Sequence, residues 1–212
     1  MSQGELPVEN VVLAETVEPP EQVPPSPWGF WATLGFSFAV MVMFTLAQLV
    51  VLLGLVVIQS FEKPNIGAHD LEEIANSGLY LSVASCISAL ACLALIVLFV
   101  KLRKQMSIRD YLSLNWAPAK QLLAWTAVLL VFVAITDGMT WLLGGDIVPE
   151  VMVEAYHTAG FVPLLWAALI IAAPLFEELF FRGFMFQGIQ QSLAGNLGAL
   201  LITSFTWSIV HV

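Results

Sequence analysis

Whole stretches of about 20 residues in this chain carry no charged side chain, and that feature restricts its fold more than any other. A run of that length, wound as a helix, crosses ~30 Å of hydrocarbon. Backbone N–H and C=O groups in lipid must be satisfied within the segment or in a closed barrel. The runs are continuously apolar and lack the alternation of a barrel strand, so they predict helices. Only 11% of the 212 residues are charged, against roughly 25% in soluble domains. The expected fold is all-α, a polytopic membrane bundle whose first partner is the lipid bilayer.

The spans are predicted at about Trp28–Ile58, Leu79–Val100, Leu122–Leu143 and Phe161–Gln191, with a fifth opening near Leu197 after a turn at Gly195-Asn196. The first exceeds the thickness of the hydrocarbon, so it tilts or begins in the interface, where Trp28 and Trp31 would anchor it. Polar loops fall at about 60–78 and after Gly144-Gly145. In the basic connection between the second and third spans, Ser107-Ile-Arg-Asp110 carries an acid three residues after a capping Ser and predicts a short helix start.

The net charge of −9 is unevenly placed. Glu5, Glu9, Glu15, Glu18 and Glu21 lie in the first 27 residues among Pro19, Pro20, Pro24, Pro25 and Pro27, with no Lys or Arg. Residues 1–27 are therefore expected to be a disordered acidic tail, and they lack the pattern of a signal peptide. Seven basic residues form no patch for nucleic acid. Five of the seven lie between Lys101 and Lys120, which puts that connection and the N-terminus on the cytoplasmic side of a plasma (inner) membrane. Cys86 and Cys92, six apart in one apolar run, are expected to be small core residues rather than a disulfide.

The fourth span holds the chemistry. It reads Pro174-Leu-Phe-Glu177-Glu178-Leu-Phe-Phe-Arg182-Gly183. A charge at the centre of a membrane helix costs roughly 2.5–3.5 kcal/mol on insertion scales, so each of these three needs protein or water around it. Glu178 and Arg182 are four apart and face one side as an ion pair. Glu177 is turned about 100° from Glu178 and is free to face a separate cavity. Glu177 and His211 lie equally far from the middle of the turn, near Ala194, so antiparallel helices would bring them to one depth, where together they could orient a water and take its proton. Asp137 lies near an outer helix end and reads as a structural acid. His69 beside Asp70, Glu72 and Glu73, and His157 near Glu154, lack HExxH spacing. No metal and no cofactor is expected.

Glu177-Glu178-Leu-Phe-Phe-Arg182-Gly183 resembles the EExxxR motif of the CPBP family, which includes CAAX prenyl endopeptidases and bacteriocin-processing and self-immunity proteins. Trp207-Ser-Ile-Val-His211 is similar to its FxxxH motif, with Trp in place of Phe, and Thr203-Ser204 suits that helix. Ser107–Trp116 resembles a short segment that often precedes the family's next span. The resemblance implies an intramembrane fold of about eight spans and a metal-independent endopeptidase acting on a membrane-associated, in some members prenylated, protein or peptide. It casts Glu177 as general base, His211 as a second holder of the water, and Glu178 with Arg182 as the supporting pair. A third family motif, His followed four residues later by Asn or Asp and serving the oxyanion, lies outside this sequence. The expectation is thus a transmembrane domain over 28–212 that is C-terminally incomplete, its last span cut short, and missing a donor whose loss costs ~100- to 1,000-fold. A non-catalytic immunity or partner-binding protein is the alternative. A transporter ranks last, because the first two spans carry few polar residues.

Overall fold

The computed structural model describes residues 26–63 and 65–211. Among them there are helices and no strand. The acidic segment 1–27 lies outside the described residues except for Ser26 and Pro27. Four helices are long and apolar enough to cross a membrane: α1 (Phe30–Glu62), α3 (Gly78–Leu102), α5 (Ala119–Leu142) and α7 (Val162–Gln190). Between them lie the short helices α2 (Ala68–Asn76), α4 (Ile108–Tyr111) and α6 (Glu150–Thr158), and α8 (Gly195–Val210) follows. This is an all-α polytopic membrane bundle, an integral membrane protein. The fifth apolar helix, α8, has 16 residues and is shorter than the other four.

Helix α3 occupies the centre, packed against α1, α4, α6 and α7. Its buried face is built of small side chains, Ala84, Ser88, Ala89 and Cys92, which let neighbouring backbones approach. Cys92 is fully buried and its thiol reaches the Val40 carbonyl of α1 at 3.5 Å, while Cys86 is half-buried. Helix α5 stands apart, with no buried residue and no sizeable packing contact, so its apolar surface faces outward on all sides.

Aromatic residues tie α1 to the basic connection. The Trp28 indole N–H donates to the Phe99 carbonyl at 2.9 Å, and the Arg103 guanidinium lies 5.2 Å above the same ring. The Trp28 backbone N–H donates to the Tyr111 hydroxyl at 3.3 Å. Burial pushes the Tyr111 phenol up to about 12. The predicted helix start at Ser107 is present. The Ser107 hydroxyl accepts from the Asp110 amide at 3.1 Å and donates to its carboxylate at 2.6 Å.

Two helices, α2 and α6, occupy segments expected to be loops. Each has nine residues, below the length at which an isolated helix holds in water. Their stability comes from tertiary contact that sequence periodicity does not carry. Gly78 opens α3 directly against α6. Its amide donates to the Thr158 hydroxyl at 2.8 Å, and a Cβ there would fall 1.7 Å from the Ala155 carbonyl oxygen.

The start of α2 is pinned by Asp70, whose carboxylate accepts from the Lys63 ammonium at 2.5 Å and from the Gly67 amide at 2.8 Å. The Lys63 hydrogen bond, and then the Gly67 amide, hold this carboxyl below its ordinary value of 3.8. A depressed carboxyl contributes stability above its unfolded value and loses it as pH falls through the folded one. The Gly67 amide resonance is therefore expected to titrate with a midpoint below 3.8. A midpoint at or above that value would contradict the pinning.

Candidate active site

Helix α7 is not a regular α-helix. It carries two π segments, Ala168–Ala172 and Glu178–Met185. Pro174 accounts for the first. It has no N–H to give to the carbonyl four residues back, and the Ala173 amide reaches the Ala168 carbonyl, a step of five. In the second, the Phe186 amide likewise bonds to the Phe181 carbonyl. Single-turn π segments of this kind occur frequently at functional sites.

A buried stripe of phenylalanines fixes how α7 is rotated. Phe176 stacks on Phe44 of α1 (5.4 Å, 11°) and on Phe180 (5.5 Å, 12°), and Phe184 stacks on Tyr111 (5.7 Å, 18°). Gly183 lets Leu112 lie against the widened turn, where an added Cβ would stand 3.3 Å from the leucine. With this stripe packed on α1, α3 and α4, the acids at 177 and 178 turn toward α8. Gly195 makes that return possible. Its φ of 58° is in the left-handed region that glycine enters without a Cβ penalty. Helix α8 starts at Gly195, two residues ahead of the expected opening near Leu197.

Glu177 meets α8 at two points. One carboxylate oxygen, Oε2, accepts from the Trp207 indole N–H at 3.0 Å. The other, Oε1, lies 3.6 Å from His211 Nε2. The count from the turn had placed these two residues at one depth, and the structure brings them side by side. Both side chains are about one-third exposed, so they are reachable yet partly desolvated. The His211 Nδ1 lies 2.8 Å from the Trp207 carbonyl. A carbonyl can only accept, so this contact assigns the proton to Nδ1. In the neutral ring Nε2 then presents a lone pair toward Glu177 Oε1. Two acceptors 3.6 Å apart do not bond to each other, but a water between them can donate to both.

Arg182 pairs with Glu178 at 3.3 Å rather than with Glu177. The pair is well exposed and faces a cavity of about 740 Å³ between α7 and α8, lined also by Pro174, Thr203 and Ser204. The sequence left Glu177 free to face a separate cavity. In the structure it shares this one with Glu178 and also borders a second, of about 410 Å³, enclosed by Phe44, Gln48, Ser85 and His211 among others. Glu177 and Phe181 form the partition between the two spaces.

The other candidates lie elsewhere. Asp137 is half-buried on the solitary α5 and makes no ion pair among the described residues. His157 packs its ring edge-on to Tyr156 on α6. His69, Asp70 and Glu73 bring three possible ligand atoms within 4.8 Å of one another on α2, but both Asp70 oxygens are already engaged by Lys63 and Gly67.

Trp207, Gln48 and Ser85 were not singled out in the sequence as site residues. For Trp207 a signal existed: it lies four residues before His211, hence on the same helix face, and its indole carries a donor that phenylalanine lacks. For Gln48 the signal was its standing as an uncharged polar residue in an otherwise apolar span. Ser85 gave none, since serine is common at helix contacts in membranes.

Residues 159–212, the part of the chain that contains Glu177, Glu178, Arg182, Trp207 and His211, match the family described as type II CAAX prenyl endopeptidase, Rce1-like. Over this segment the chain is similar to the CAAX protease family. No curated protein and no solved structure matches it. The matched segment begins at Ala159, just past the end of α6, so it takes in α7 and α8 and leaves α1 to α6 outside it.

Proposed function

We propose that this chain is an intramembrane endopeptidase that hydrolyses a peptide bond in a membrane-associated protein or peptide, with a prenylated segment as the favoured substrate class. The observation that carries the reading is the Glu177–His211 approach at 3.6 Å on the partition between two cavities. A water held by Glu177 Oε1 and His211 Nε2 gives a proton to Glu177 as its oxygen attacks the scissile carbonyl carbon. The carbonyl electrons move onto oxygen. On collapse the C–N bond breaks, and the proton held by Glu177 passes to the leaving amine. Glu178 and Arg182 hold their charges against each other at the rim of the larger cavity and leave Glu177 out of the ion pair.

The mechanism we propose uses no metal. Catalytic zinc sites use three protein ligands, and here the nearby acid Glu178 is taken up by Arg182, which leaves Glu177 and His211. The proposed layout is an acidic tail over residues 1–27 and one membrane domain over 28–212, with the N-terminus and the Lys101–Lys120 connection on the cytoplasmic side of the plasma membrane.

The test is hydrolysis of a farnesylated peptide by the purified protein in proteoliposomes, beside the same peptide without its prenyl chain. Cleavage at one peptide bond of the farnesylated form is expected. If neither peptide is cut, the peptidase reading fails. If both are cut equally, the preference for a prenylated substrate fails.

A further inference from the structure

We infer that Trp207 is a positioning residue for the proposed reaction, and that its indole N–H decides which oxygen of Glu177 acts as the base. The inference rests on the peptidase reading of this site and adds to it a residue whose role the FxxxH resemblance does not supply, because phenylalanine has no donor.

Trp207 makes three contacts within this site. Its indole N–H donates to Glu177 Oε2 at 3.0 Å. Its ring stacks on the His211 imidazole, with centroids 4.1 Å apart and planes 24° from parallel. Its carbonyl lies 2.8 Å from His211 Nδ1. The carbonyl contact belongs to any residue at this position, and the stacking to any aromatic ring. The N–H donor belongs to tryptophan.

The consequence follows from counting lone pairs. With Oε2 committed to the indole, Oε1 is the oxygen that faces His211 Nε2 and can accept a water proton. The same bond stops the carboxylate from rotating about its terminal torsion, which is otherwise broad and roughly two-fold. Without the donor, the carboxylate can turn its second oxygen away from the imidazole, and the water loses one of its two anchors. Thr203, one turn before Trp207, is buried, and its hydroxyl donates to the Ala199 carbonyl at 2.8 Å. Thr203 and Trp207, four residues apart on one face of α8, both line the larger cavity.

The test combines a spectroscopic and a kinetic readout on the whole protein. The chain has seven tryptophans, so an indole 1H–15N spectrum in nanodiscs contains one signal that disappears in Trp207→Phe. That signal is expected to move upfield in Glu177→Ala, where the acceptor is gone, while the other six stay in place. With the farnesylated peptide, Trp207→Phe keeps the ring stack and removes only the donor. It is expected to lower kcat by roughly 10- to 100-fold, the scale of one hydrogen bond to a charged group, with KM changed less than about two-fold. A Trp207→Phe change made in a Glu177→Gln background should lower the residual rate by far less.

An indole signal indifferent to Glu177→Ala overturns the inference, as does a signal that moves while kcat in Trp207→Phe stays at the wild-type value. A matched fall in kcat and rise in KM with a lowered thermal midpoint also overturns it, since that is the mark of a purely structural role. Full activity in Glu177→Gln overturns the peptidase reading and this role together. Loss of activity in Glu177→Gln with normal turnover in Trp207→Phe removes the role of Trp207 alone.

Discussion

Glu177→Gln is expected to lower peptide hydrolysis by about 10²- to 10⁴-fold, the usual contribution of a positioned general base. The substitution keeps the shape of the side chain, and its amide oxygen can still accept from the Trp207 indole, so α8 retains its anchor. What it removes is the group that, in the proposed mechanism, takes the proton from the attacking water. KM and the thermal midpoint should therefore stay near the wild-type values while kcat falls. The neighbouring acid gives the matching control. Glu178 shares the Arg182 contact at an exposed position, where such pairs are worth ~0–1 kcal/mol. Glu178→Gln should accordingly cost much less than Glu177→Gln. The measurement is single-turnover cleavage of the farnesylated peptide in proteoliposomes by the two variants side by side. Equal losses would mean that the two acids act as one unit and that the division of roles between them is wrong.

The contrast between these acids shows what the sequence alone could convey. The three charges in α7 and the histidine at the end of α8 were legible because charge is rare in apolar helices, and helical counting across a turn is a crude ruler of depth. The count survives the two π segments because His211 and Glu177 lie within a turn of the expected level. Glu177 does border a separate cavity, the smaller one, which Glu178 does not line, but the regular helix assumed for this span did not hold, since α7 carries two π segments. Pro174 was visible, but the second π segment contains no proline. Its cause lies in the packing of Gly183 and the phenylalanine stripe on α1 and α4, which is tertiary information. The four long spans were read within a few residues because hydropathy over about 20 residues is a strong signal. The short helices α2 and α6 were missed because what stabilises them is contact with α1 and α3. Helix α5 shows the opposite limit. It was read correctly as a span, yet nothing in its uniform apolarity foretold that it would make no sizeable packing contact with another described helix.

Gly188→Leu is expected to destabilise the protein by about 3 kcal/mol or more, at or beyond the upper end of the usual cost of overpacking. Gly188 is buried where the end of α7 crosses the start of α1. A Cβ at this position would fall 2.0 Å from the Thr33 hydroxyl oxygen, 2.7 Å from its methyl and 2.8 Å from its Cβ. Thr33 is itself fully buried, and its hydroxyl donates to the Trp28 carbonyl at 3.0 Å, so it has nowhere to swing. The two helices must separate, and the separation acts on the segment that carries Glu177 and the larger cavity. On a chain of this size 3 kcal/mol corresponds to roughly 6–12 °C in thermal midpoint. The decisive comparison is a cycle with Gly188→Ala and Thr33→Gly. Each single change should destabilise, the first by steric conflict and the second by a few tenths of a kcal/mol of helix propensity together with the lost hydroxyl contact. In combination the glycine at 33 admits the methyl at 188, so the double variant should be more stable than the sum of the two costs allows. Strict additivity would show that Gly188 is not in contact with Thr33, and that the crossing of α1 and α7 is held by other residues.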